Sequence, residues 1–286
     1  FFCYTLMLRS LLFAFTFAII FTSAYSQDST LGPLADLAGT WTGDKGWNIV
    51  ALPDIDNPHS FILLSFNYTE TLTFTEIGDT PNRGTTSTQY TNGFQYEQVI
   101  TEISTNSIVH KENGLWLISW DPSGPYPIAR TSSIPHGDVL LAQGNATTIS
   151  GAPTFEEFSV LPQLAESFGS GYTAPYYNMD APFPPENMNA FLQAQIENQK
   201  ITTTTHLSVS SLNEGGVLNI PFIVEQANVN VFTSDFYIET VSQNNGQTFL
   251  QLQYTQNSAM TFLANPQGEL VIWPHGQVNT LRKVSN

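Results

Sequence analysis

An all-β fold, an antiparallel up-and-down barrel or sandwich, is what this sequence predicts, and three observations carry the prediction. From Phe61 to Ile77 the residues Ile62, Leu64, Phe66, Tyr68, Leu72 and Phe74 share one parity, while Ser65, Asn67, Thr69, Thr71, Thr73 and Thr75 share the other. Period two with a threonine-rich outer side is the pattern of a long strand with one buried face. Alternation, or β-branched and aromatic enrichment, recurs at 94–103, 115–120, 201–209, 217–224, 229–232, 236–241, 248–254, 260–263 and 270–273. Between these runs stand the turn signals Glu112-Asn113-Gly114, Glu214-Gly215-Gly216, Asn244-Asn245-Gly246 and Pro266-Gln267-Gly268. Strands joined by tight hairpins build barrels that hold their ligands inside.

Composition agrees with such a core. The chain has 286 residues, 41% of them hydrophobic and 13% aromatic, which excludes a disordered chain or a disulfide-stapled miniprotein. Its 24 acidic residues against 8 basic ones leave a net charge of -16, and the basic residues form no stripe, so nucleic acid and anionic membranes are not expected partners.

The N-terminal part reads as a leader. Arg9 precedes the apolar run Leu11 to Phe21, and Ala24 and Ser26 supply the small residues of a cleavage site, so residues 1–26 are expected to be a signal peptide with upstream residues. A secreted, extracellular protein follows, with 27–286 as a single β-barrel domain and no membrane span once the leader is removed. The one cysteine, Cys3, would leave with the leader. Asn67 and Asn145 stand in Asn-x-Thr sequons and are glycosylation acceptors in a eukaryotic host.

One stretch departs from the strand pattern. Gly151 to Pro185 is rich in proline, glycine and aromatics, and Pro184-Pro185-Glu186 opens an expected amphipathic helix over Asn187 to Lys200. Residues 151–200 are therefore read as an inserted segment, lid-like over the barrel mouth or packed on the outside.

Candidate chemistry lies near both ends of the chain. Leu37-Ala38-Gly39-Thr40-Trp41-Thr42-Gly43 places a glycine two residues ahead of a tryptophan at the first strand. This resembles the Gly-x-Trp opening of the calycins, the superfamily of lipocalins, fatty-acid-binding proteins and nitrobindin-like haem proteins. The resemblance implies a calycin-like barrel whose Trp41 closes the floor under a late basic residue, here Arg282. Gly39, Trp41 and Gly43 together resemble the Gly-x-Trp-x-Gly of the nitrobindin-like branch, in which a histidine near the C-terminus holds haem iron. That similarity points to His275 in Trp273-Pro274-His275-Gly276 as the iron ligand, since haem needs an imidazole in an apolar cavity with its other nitrogen oriented by an acceptor.

The tripeptide Pro-His-Gly occurs twice, at 135–137 and 274–276, so His136 is a candidate for the opposite side of the same pocket. Arg130 is a candidate partner for a ligand carboxylate such as a haem propionate. Glu70 is the odd residue on the apolar parity of its strand. It is either a buried ligand-binding carboxylate or, preferentially, a residue returned to solvent by a bulge. His59, His110 and His206 are too scattered to suggest a zinc site. The expected function is a secreted barrel binding a hydrophobic small molecule, most specifically haem, with a lipid, terpenoid or pigment carrier as the rival. Activity stays open between none, peroxide chemistry and peroxynitrite isomerisation.

Overall fold

Inward and outward parity on each strand sets the architecture. A computed structural model describes residues 31–57, 60–82, 89–119, 124–163, 171–263 and 270–285. Its strands are β1 (Gly39–Pro53), β2 (Phe61–Glu76), β3 (Thr80–Asn82), β4 (Gln89–Glu102), β5 (Ile108–Ser119), β6 (Ile128–Ile134), β7 (Asp138–Ser150), β8 (Lys200–Ser210), β9 (Gly216–Asn219), β10 (Asn228–Ser242), β11 (Thr248–Leu263), β12 (Leu270–Trp273) and β13 (Gly276–Ser285). Ten of them close an antiparallel ring in the order β1, β2, β4, β5, β6, β7, β8, β10, β11, β13 and back to β1. The expected all-β barrel is the fold observed. The short strands β3, β9 and β12 extend β4, β7 and β11. Among the described residues no helix is long and apolar enough to cross a membrane.

Several element boundaries differ from the sequence expectations. Glu112-Asn113-Gly114 is not a turn, because β5 runs straight through it. Gly114 answers a close approach instead: a Cβ there would lie 1.9 Å from the Thr131 carbonyl of β6. The strand expected at 217–224 stops at Asn219. Ile220 is extended ahead of Pro221, whose fixed φ opens α3 (Pro221–Gln226). The helix expected over 187–200 is present as the shorter α2 (Ala190–Ile196), and a further short helix, α1 (Ala174–Tyr177), precedes it. Strands β6 and β7 join through the turn Pro135-His136-Gly137.

The expected bulge exists on the opposite strand. Gly43 faces Glu70 and Gly46 faces Tyr68, so β1 carries one residue more than β2 at this point while β2 stays in register with β4. Gly46 is required there, since a Cβ would fall 2.1 Å from the Tyr68 ring.

Two cores result. The inner one fills the end of the barrel below the 3₁₀ turn Gly32–Leu37, with Leu34, Leu37, Trp41, Leu72, Trp116 and Leu207 all buried. Trp41 Nε1 donates to the Leu37 carbonyl at 2.8 Å and so ties this turn across the barrel end. The outer core lies between the wall and residues 151–200: Ile49, Ala51 and Val278 from the wall pack with Val160, Met188 and Leu192 from that segment. None of the described residues of 151–200 lines the barrel mouth. The lid expectation is thereby corrected: Trp47, Ile49 and Ala51 give β1 an apolar outer parity as well as an inner one, and the segment covers it.

Candidate functional site

At the end of the barrel away from Trp41 the strands enclose a cavity of about 550 Å³, within the ~300–1,000 Å³ usual for small-molecule sites. Val50, Leu64, Phe66, Val229, Phe232 and Met260 contribute apolar wall. Three histidines from separate elements face the cavity: His110 from β5, His136 from the β6–β7 turn and His275 from the link between β12 and β13. The two Pro-His-Gly tripeptides thus reach one pocket. His110 is brought there by the inward parity of β5, and its ring centroid lies 5.2 Å from that of His136.

Local backbone holds each ring. The His275 amide and carbonyl both bond Ser258 of β11, at 3.2 and 3.1 Å. The Gly137 amide closes the β6–β7 turn on the Ile134 carbonyl at 3.0 Å, and the Ile220 amide donates to the Gly137 carbonyl at 2.9 Å, fastening the turn to the start of α3.

A polar network separates the cavity from the apolar floor. Arg130 is 1% exposed; its Nη2 donates to Glu112 Oε1 at 2.8 Å, its Nε to the Tyr96 hydroxyl at 3.0 Å, and its Nη1 to Ser234 Oγ at 3.0 Å and Gln256 Oε1 at 2.7 Å. The guanidinium also sits 5.0 to 5.7 Å from the ring centroids of Tyr96, Trp116, Phe232 and Phe236. Arg130 drives Glu112 well below the usual carboxylate range although burial opposes it, with His110 and Ser132 adding to the effect. Glu112 Oε2 lies 3.1 Å from His110 Nε2.

Because a guanidinium can only donate, it orients every amide beyond it. Arg130 fixes Gln256 Oε1 as an acceptor. Gln256 Nε2 then donates to Gln277 Oε1 at 3.3 Å, and Gln277 Nε2 to Asn48 Oδ1 at 3.0 Å. Asn48 Oδ1 is 2.8 Å from His275 Nε2 and must accept from it too. His275 is therefore the Nε2–H tautomer, with its lone pair on Nδ1. Burial, then the neighbouring His110 and His136, lower its pKa to about 3 and keep the ring neutral. Burial and His110 also lower His136.

The remaining candidates fall elsewhere. Arg130 does not meet a ligand carboxylate: it lies beneath the cavity with Glu112 as its counter-ion, because β6 turns it inward next to the inward Glu112 of β5. Glu70 does point inward and is 3% exposed, which corrects the preferred bulge. It accepts from Gln98 at 2.7 Å, Tyr254 at 2.6 Å and Asn279 at 2.8 Å, and it is not among the cavity residues. Burial raises its pKa against these bonds. Trp41 carries Lys283, 5.6 Å from its ring, rather than Arg282, which stacks 4.2 Å over Phe249. Strand parity explains the exchange, since Lys283 shares the side of buried Leu281 and pairs in register with Trp41. Asn145 is exposed and Asn67 half-buried. The leader, Cys3 and His59 lie outside the described residues.

Sequence reasoning missed Asn48, Gln256, Gln277 and Asp138. Asp138, at the start of β7, lines the cavity with 6% exposure, and its Oδ1 has no hydrogen-bond partner. Burial raises its pKa.

Residues 30–163 match the family described as THAP4-like, heme-binding beta-barrel domain. None of the curated proteins matches the sequence. Among solved structures the chain is similar to Rv2717c from M. tuberculosis, with a TM-score of 0.44 and 14% identity over 89% of this chain and 96% of that one. The family match thus covers residues 30–163, and over this part the chain is similar to the heme-binding beta-barrel domains that the family describes.

Proposed function

We propose that this barrel binds haem in the three-histidine cavity, with His275 as the iron ligand. The carrying observation is the state of His275: a neutral imidazole on an apolar cavity, one nitrogen held by the Asn48 carbonyl and the other left with its lone pair. These are the requirements of an axial ligand and its orienting partner, so the residues present fit the group. The haem-binding family over residues 30–163 supports the same reading. Bound haem would supply an iron centre for a small gaseous ligand or a peroxide. His136 and His110 supply imidazoles on the same cavity, and Arg130 with Glu112 keeps the floor beneath it dry and rigid. The leader-like residues 1–26 support export, which N-terminal sequencing of the mature protein tests.

Haem added to the purified apo-protein should give a sharpened Soret band at one equivalent, and His275→Ala should abolish it with the β-sheet circular dichroism intact. His136→Ala should retain the band. If neither substitution changes the spectrum and fatty acids or terpenoids compete for the cavity, the protein is a carrier of another kind.

A further inference from the structure

The two ends of the barrel carry different surfaces. At the floor end the exposed large hydrophobic residues Tyr90, Ile149 and Val284 stand singly on three strands, and the β10–β11 turn from Gln243 to Gln247 carries only polar side chains. At the cavity mouth the turns end in apolar side chains instead: Ile55, 96% exposed, between β1 and β2, Ile103 and Ile108 around the β4–β5 turn, and Ile220, Phe222 and Val224 between β9 and β10. Helix α3 buries none of its residues; Ile223 lines the cavity, while Phe222 is left 67% exposed. This rim runs into the cavity without a break, since Leu52 and Leu64 line it and are themselves exposed. Contiguous apolar surface of this kind marks a contact with another body.

Charge decides which body. Asp56, Glu102 and Glu225 stand on the rim, and the described residues of the mouth turns, 53–57, 60–61, 102–108, 134–138 and 217–228, include no lysine or arginine. A two-fold contact with a second copy would set these carboxylates against one another with no cation to pair them. An anionic lipid surface is repelled for the same reason. A phosphatidylcholine surface suits both features, because its outermost group is a quaternary ammonium and hydrocarbon lies beneath the headgroups. We propose that the cavity mouth docks on zwitterionic, choline-bearing bilayers, with Ile55, Phe222 and Val224 at the boundary of headgroup and acyl chain and the rim carboxylates among the choline groups. So docked, the cavity opens onto the bilayer, and an apolar ligand passes between the two without crossing water. The docking goes beyond the haem reading and does not rest on iron.

Flotation of the haem-free full chain with unilamellar vesicles at physiological ionic strength tests it. The parent should float with pure phosphatidylcholine and bind about tenfold or more weakly to equimolar phosphatidylcholine and phosphatidylglycerol, because acids near an anionic surface lose what basic residues gain there. Phe222→Ser should weaken binding to phosphatidylcholine by about tenfold, the worth of burying one large apolar side chain. Val284→Ser, at the floor end, should leave it within about twofold. Both substitutions alter exposed side chains, so the circular dichroism should match the parent's. Binding through the apolar run Leu11 to Phe21 would be insensitive to Phe222→Ser, which separates it from docking of the mouth. A parent that stays off phosphatidylcholine vesicles overturns the proposal, as does equal or tighter binding to the anionic mixture, or equal binding by the two variants. Absence of flotation together with a dimer that Phe222→Ser dissociates in sedimentation velocity would assign the face to a second copy instead. None of these outcomes bears on the haem titration, which is read without lipid.

Discussion

Arg130 shows how a single buried residue can set the state of another across a barrel. It is one of only 8 basic residues, and the fold places it among aromatic rings with a carboxylate as counter-ion. Its value lies in direction as much as charge, since the orientation of Gln256, Gln277 and Asn48 follows from its obligate donors. Substituting Arg130→Met should destabilise the protein by about 3–5 kcal/mol, the usual result of leaving one member of a buried ion pair uncompensated. Adding Glu112→Gln should recover part of that loss, as measured by urea denaturation. The sequence did not disclose this network. Glu112 stands before Asn113-Gly114 and resembles a turn residue, while Asn48, Gln256 and Gln277 carry no motif; their inward parity becomes apparent only in the register of β1, β11 and β13. His275 and His136 were legible because proline and glycine frame them twice. His110, lacking such a frame, was not.

Strands show where pattern reading succeeds and where it stops. The alternation on β2 identifies its inner face, including Glu70, but the bulge belongs to β1, where Gly43 and Gly46 flank the extra residue. The late basic residue at the floor is likewise Lys283, which strand parity turns toward Trp41, and not Arg282, to which the resemblance pointed. Lys283→Ala should therefore shift tryptophan emission to the red and cost on the order of 0.5–1 kcal/mol through loss of its contact with Trp41. Arg282→Ala should leave the emission unchanged, because its guanidinium lies over Phe249.

The covering segment 151–200 makes a separate expectation. Glu239 of β10 is fully buried, accepts from Gln251 Nε2 at 2.7 Å, and is pushed up to about 7 by burial. Gln251 in turn bonds Gln199 at the end of the segment. The folded state holds the Glu239 proton more tightly than the unfolded chain, whose carboxyl titrates near 4.5. The stability this contributes is full below about pH 4.5 and is lost as pH rises through about 7. Glu239→Gln should flatten that part of the stability profile in urea denaturation at a series of pH values. A variant profile parallel to the parent's would show that Glu239 does not hold its proton there.

At the scale of the whole molecule, the barrel divides into an apolar floor, a polar layer and an open cavity, with a second apolar core outside the wall. Fold class was legible because period-two alternation and hairpin turns are local properties of the chain. The inserted segment was visible as a break in that pattern, but its seat was not, since both faces of β1 are apolar and the choice between mouth and wall depends on the closed ring. The cavity itself is a consequence of closure, gathering His110, His136, Asp138 and His275 from positions as far apart as 110 and 275. Resonance Raman spectra of the ferrous haem-loaded protein test the central claim, that His275 holds the iron, most directly. The parent should show an iron–histidine stretching band that disappears in His275→Gly and returns when imidazole is added. Persistence of the band in His275→Gly, or its loss in His136→Gly instead, would contradict the account.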